Sequence, residues 1–216
     1  MTAPVIAAYV RSPFAFARKG ELVDVRPDEL AGQVVRALVE RTGVDPASLE
    51  DVALGCAFPE GEQGMNLGRI VALLAGLPRS VAGQTINRFC GSSMQAVHTA
   101  AGSIAMGAGE AYVACGVESM SRVPMMGFNP MPNPKLAAEM AGAYMSMGET
   151  AENLAKKYQI PRAEQEELAV ISHRRATAAR QAGKFTDEII PIPAGKETVT
   201  SDGCIREETS KEALAG

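Results

Sequence analysis

Cys90 stands where an apolar run meets a charge-free stretch, in Val81-Ala82-Gly83-Gln84-Thr85-Ile86-Asn87-Arg88-Phe89-Cys90-Gly91-Ser92-Ser93-Met94-Gln95-Ala96. The pattern reads as a buried strand running into a cysteine at the first turn of a helix. Backbone N–H groups and the positive dipole end of a helix favour an anion, so a thiol held there can ionise and attack a carbonyl carbon. Gly91, Ser92 and Ser93 are small enough to let a substrate carbonyl approach the backbone. A free cysteine is also a small hydrophobe that is commonly buried without any chemistry. Spacing alone leaves both readings open.

A cysteine nucleophile needs a base within about 3 Å of the sulfur. The chain has two histidines. His98 is eight residues further along the same helical stretch, about 12 Å in axial rise, so it cannot serve Cys90 directly. It reads as a buried histidine satisfied by hydrogen bonds. His173 sits among Ser172, Arg174 and Arg175 on a charged helix, where a solvated position is natural. Neither reads as the base.

The elements that must position Cys90 alternate. Apolar runs at 5–10, 52–56, 81–86 and 111–117 read as strands, and 28–42, 67–75 and 92–106 as helices, which predicts an α/β fold around a largely parallel sheet. Asn66 fits the N-cap of the second helix, with Gly76 and Pro78 ending it. Between Gly91 and Gly109 there is no Asp, Glu, Lys or Arg, so the third helix is expected to be buried on all sides. Residues 120–147 hold seven of the eleven methionines and four prolines, and read as an irregular segment packed on apolar surface. Pro161 suits the first position of a solvated helix that ends at Gly183. Residues 194–216 are polar without a stable period.

Composition narrows the classes. The chain has 216 residues, 46% of them hydrophobic and 21% charged, as in an ordinary globular protein with a substantial core. A net charge of −4 gives no basic footprint, so a nucleic-acid partner is not expected. No apolar run is long enough to span a membrane, and no secretory leader is visible. Cys56, Cys90, Cys115 and Cys204 lack paired spacing, so neither a zinc site nor a disulfide framework is expected. Reduced thiols in the cytoplasm fit best.

The stretch Asn87-Arg88-Phe89-Cys90-Gly91-Ser92-Ser93-Met94-Gln95-Ala96 resembles the nucleophile motif of thiolases, especially the degradative 3-ketoacyl-CoA type. The likeness continues through Gly116-Val117-Glu118-Ser119-Met120-Ser121, Met147-Gly148-Glu149-Thr150-Ala151-Glu152-Asn153 and Asp187-Glu188-Ile189-Ile190-Pro191, in family order over essentially the whole chain. It implies the amino-terminal half of a thiolase-like five-layer α-β-α-β-α sandwich, with an α/β domain over 1–120. Residues 121–216 would be an inserted loop domain carrying oligomerisation, acyl-pocket and CoA-binding segments. The implied activity is acyl transfer: reversible thiolytic cleavage of 3-ketoacyl-CoA to acetyl-CoA and a shortened acyl-CoA.

By the same resemblance Cys90 is the acyl-accepting nucleophile, and its backbone N–H is one donor of the oxyanion hole. Met147 lies beside the acyl group, and Arg206 contacts the nucleotide end of CoA. Ser146 stands where some members have a CoA-contacting histidine. Ala213 replaces a serine of some biosynthetic members. CoA and acyl-CoA are then substrates, with no separate cofactor or metal. The family's Gly-His-Pro, Cys-x-Gly-Gly-Gly and Asn-Glu-Ala segments do not occur here. A complementary carboxy-terminal half is therefore expected as a partner, within a homodimer or homotetramer. Three other readings stay open: an acetoacetyl-CoA-forming biosynthetic thiolase, a condensing enzyme acting on carrier-bound chains, and an inactive assembly module.

Overall fold

A computed structural model describes residues 3–214. Met1 and Thr2, where a leader was sought, and Ala215 and Gly216 lie outside the described residues. The chain builds two compact units. One runs to Phe128 and includes Asp187–Cys204; the other comprises Asn129–Thr186 and the residues from Ile205 onward. Residues 187–204, beyond the sequence division at 120, thus return to the first unit.

The first unit alternates helix α1 (Pro27–Thr42), strand β1 (Asp51–Gly55), helix α2 (Leu67–Leu74), strand β2 (Ala82–Ile86), helix α3 (Ser92–Ala105) and strand β3 (Tyr112–Gly116). The three strands are parallel in the order β2-β1-β3. Side chains alternate across a strand, and here the two faces have different partners. Val52, Leu54 and Cys56 pack with Val35 of α1 and with Leu67 and Val71 of α2 in one buried cluster. Each fully buried Val or Leu contributes about 1.5–3 kcal/mol relative to exposure. On the other face, Gly55 and Gly116 lie against the start of α3. Helices, sheet and helix make three layers, in keeping with one half of the expected sandwich.

Helix boundaries follow local chemistry. Pro27 opens α1, Asp28 and Glu29 occupy its first turn, and Gly43 closes it at φ 63°. Asn66 does precede α2, but its φ is 54° and its side chain caps nothing there. Instead it donates to Gly83 O at 2.9 Å and accepts from Thr85 Oγ1 at 3.0 Å. The first turn of α2 is capped from β2: Thr85 Oγ1 accepts from Gly68 N at 3.1 Å.

Two expectations are corrected. Residues 5–10 form no strand among the described residues, and Val5, Ile6 and Tyr9 are largely exposed. A strand needs a neighbour to take its hydrogen bonds. The residue that follows the segment, Arg11, finds one in a parallel bridge to Ile189. Helix α3 is buried on one side only, through Ser92, Ala96 and Ala100. Met94, Val97 and His98 are exposed, so absence of charge did not mean burial all round.

In the second unit, α4 (Pro134–Glu139) breaks the methionine-rich segment, followed by α5 (Met147–Tyr158) and α6 (Arg162–Gln181). Pro161 is the residue before α6, one position earlier than read, and Gly183 follows its end at φ 69°. The chain then re-enters the first unit as a hairpin of β4 (Ile192–Ala194) and β5 (Glu197–Val199), and ends its described part in α7 (Lys211–Leu214). Strands of three residues are too short to show a period, which is why this hairpin was not legible. Arg11 fastens the returning segment: Nη1 and Nη2 reach the two carboxylate oxygens of Asp202 at 2.7 and 2.9 Å, and Nε reaches Glu188 Oε1 at 2.7 Å. The bond to Asp202 is the largest influence raising the Arg11 pKa.

Candidate active site

Cys90 lies in a single 3-10 turn, Phe89–Gly91, between β2 and α3, rather than inside the first turn of α3. Its residue is exposed. No side chain caps the N-terminus of α3 among the described residues, and the N–H of its first residue, Ser92, donates to Phe89 O of the turn. A methyl group built at Gly91 would meet nothing within 4 Å. That side of the turn is open to a ligand.

The turn is held against its own preferences. Phe89 has φ 46°, in the left-handed region that costs an aromatic residue about 1–3 kcal/mol. Asn87 Oδ1 accepts from Phe89 N at 2.9 Å, and Ser92 Oγ accepts from Arg88 N at 2.8 Å while donating to Phe89 O at 2.6 Å. Asn87 Nδ2 donates to Ala57 O at 2.9 Å, and the Phe58 and Phe89 rings pack at 5.9 Å between centroids. The segment after β1 therefore braces the turn that carries the thiol.

That segment is in turn bound by Glu118, just beyond β3. Its carboxylate accepts from Ala57 N at 2.6 Å, Phe58 N at 3.3 Å and Gln63 Nε2 at 2.7 Å. Gln63 is fully buried; its Nε2 also donates to Phe58 O at 2.8 Å and its Oε1 accepts from Ser119 N at 2.7 Å. Sequence reasoning assigned neither residue a role. A carboxylate at the carboxy-terminal end of an apolar strand was the available signal.

The other thiols are unsuited to attack. Burial, reinforced by the Glu118 carboxylate, pushes the Cys56 thiol up to about 12. Burial pushes Cys115 up to about 12 as well. Cys204 is also raised, chiefly by loss of water and then by Asp202 and Glu21. Protonated sulfur is a poor nucleophile. His98 is on the exposed side of α3, not buried as read, and two turns beyond Cys90.

The remaining candidates lie in the second unit, described by itself. Met147 opens α5 and is exposed. Ser146 is that helix's N-cap in a reciprocal box: its Oγ accepts from Glu149 N at 3.2 Å, and Glu149 Oε2 accepts from Ser146 N at 3.0 Å. Arg206 and Ala213 share a surface cavity of about 370 Å³ with Glu207, Glu208, Thr209 and Leu214. Glu207 pairs with Arg180, which removes one negative charge from that rim. Arg206 N donates to His173 Nδ1 at 3.1 Å, so this histidine anchors the backbone of the cavity wall.

The site is thus a strand-turn-helix that offers an exposed cysteine to solvent just before α3. The chain belongs to the thiolase family: the family profile "Thiolase, N-terminal domain" matches residues 4–216. It is 45% identical over 203 residues to the 3-ketoacyl-CoA thiolase of Bacillus subtilis (strain 168), covering 94% of this chain and 51% of that one. It is 43% identical over 215 residues to the 3-ketoacyl-CoA thiolase of Psychrobacter cryohalolentis, covering 97% and 55%. The crystal structure of the Bacillus anthracis acetyl-CoA acetyltransferase superposes with a TM-score of 0.84 at 38% identity, covering 98% of this chain and 57% of that one. This similarity establishes the thiolase fold. The chain spans about half the length of the relatives it matches.

Proposed function

We propose that this chain is the nucleophile-bearing part of a thiolase that transfers acyl groups between CoA thioesters, with Cys90 as the residue acylated. In thiolysis the Cys90 thiolate attacks the C3 ketone of a 3-ketoacyl-CoA. The C2–C3 bond then breaks, its electron pair passes to C2, and protonation of that carbon releases acetyl-CoA. The shortened acyl group stays on Sγ as a thioester, until the thiolate of free CoA attacks it and restores the Cys90 thiolate. The backbone N–H of Cys90 is assigned to the developing oxyanion. Met147 is assigned to the acyl chain, and Arg206 to the CoA nucleotide. A carboxy-terminal thiolase polypeptide supplies the base and the acid.

The observation that carries this reading is the contrast among the thiols: Cys90 is exposed beside an uncapped helix start, whereas Cys56 and Cys115 are held protonated. The names of the relatives favour 3-ketoacyl-CoA substrates, and that of the solved neighbour favours acetyl transfer. Both use the same acyl-enzyme. Incubation of the chain with isotopically labelled acetyl-CoA, followed by peptide mapping, tests it. Label on the peptide containing Cys90 is expected; label on another cysteine, or none on Cys90, overturns it.

A further inference from the structure

We propose that Glu118 is a positioning residue for Cys90, acting through residues 57–58 and Asn87 to hold the 3-10 turn in the conformation that exposes the thiol. This inference rests on Cys90 being the acylated residue, and it adds a part of the machinery that touches neither substrate nor sulfur. Glu118 follows β3, whereas Cys90 follows β2, and β1 lies between them. The carboxylate spans the sheet end by binding Ala57 N and Phe58 N, immediately after β1. From there two contacts reach the turn: Ala57 O accepts from Asn87 Nδ2, and the Phe58 ring lies on Phe89. Asn87 then fixes Phe89 N through its Oδ1.

The carboxylate is well chosen for the task. Both oxygens face donors, from Ala57 N, Phe58 N and the Gln63 amide, and Cys56 Sγ lies at 3.8 Å. An amide of the same shape would turn an NH2 group toward one of these donors, where it could accept nothing. A left-handed aromatic residue persists only while its surroundings over-determine it. Loosening 57–58 should therefore release Phe89 and let Cys90 wander, and an acyl-transfer step is sensitive to displacements of about 1 Å.

Hydrogen–deuterium exchange and acetyl labelling of the full chain test this together, in wild type, Glu118→Gln and Asn87→Ala. Glu118→Gln should speed exchange over 57–63 and 86–93 while β1 and α2 stay protected, and should slow acetylation of Cys90 by about ten-fold or more. Asn87→Ala, which removes both the bond to Ala57 O and the one from Phe89 N but leaves Glu118 on 57–58, should speed exchange over 86–93, leave 57–63 protected, and slow acetylation alike. It keeps the proposal testable if Glu118→Gln fails to fold. Faster exchange confined to 57–63, or acetylation unchanged in either folded variant, overturns the proposal. A wild-type chain that takes no label on Cys90 overturns the acyl-enzyme reading; the acetylation comparison then falls away, and the exchange pattern alone decides the positioning.

Discussion

Burial sorts the sulfurs of this protein before any catalytic geometry does. Cys56 is almost fully enclosed between the sheet and the two outer helices, and a carboxylate lies beside it. Both effects disfavour its thiolate, moving it from an ordinary value of 9.0 to about 12. Linkage gives the sign: the folded state holds this proton more tightly than the unfolded one, so its contribution is full below about pH 9. It is lost as pH rises towards about 12. The stability gap between wild type and Cys56→Ala should therefore narrow in urea titrations stepped from pH 8 to pH 11. A gap of constant size across that range would show that Cys56 ionises as easily folded as unfolded. Cys56 is preferred to Cys115 for this test because the Glu118 carboxylate adds to burial there, whereas burial alone raises Cys115.

Glycines let the elements approach closely enough to build the site. A Cβ at Gly55 would lie 2.4 Å from both Ser92 C and Ser93 N, which are backbone atoms and cannot swing away. Gly55→Ala should push α3 off β1 and cost about 1–3 kcal/mol in urea unfolding. At Gly116 the nearest atom is Ser93 Oγ, at 1.9 Å, with Ser93 Cβ at 3.0 Å. Removing that hydroxyl in a Gly116→Ala/Ser93→Ala pair should recover more than half the loss of Gly116→Ala alone. Simple additivity of the two single effects would mean that another contact is responsible.

The same elements show what sequence could reveal. Runs at 52–56, 81–86 and 111–117 appear as β1, β2 and β3, paired in parallel, but only the central strand β1 is buried along its length. Strand β2, expected as a buried strand, is partly exposed because it has a neighbour on one side only among the described residues. Helices α1, α2 and α3 start or end within one residue of their periodic patterns. What failed was non-local. The run at 5–10 had apolar residues without a pairing partner, and α2 took its cap from Thr85, which is eighteen residues beyond Leu67. Local context singled out Cys90, which the structure places, exposed, in the turn between β2 and α3. The brace behind it was not, because Glu118, Gln63 and Asn87 meet only once three strand ends are side by side.

For the whole molecule, the proposed chemistry needs more proton-transfer groups than the chain offers near Cys90. His98 is exposed two turns along α3, and His173 Nδ1 is occupied by Arg206 N within the second unit. The relatives are about twice as long. The 216-residue chain by itself is therefore expected to accept an acyl group on Cys90 slowly and to turn over no 3-ketoacyl-CoA. Adding the carboxy-terminal half of a curated relative should restore thiolysis, provided that polypeptide covers the exposed apolar side of α3 around Met94 and Val97. Two measurements check this together: acetyl-CoA release from a 3-ketoacyl-CoA, and the mass of the complex by gel filtration with light scattering. Cys90→Ala should abolish release while leaving the complex intact. Steady turnover by the chain alone, with its intact mass verified, would show that a base for Cys90 lies within these 216 residues.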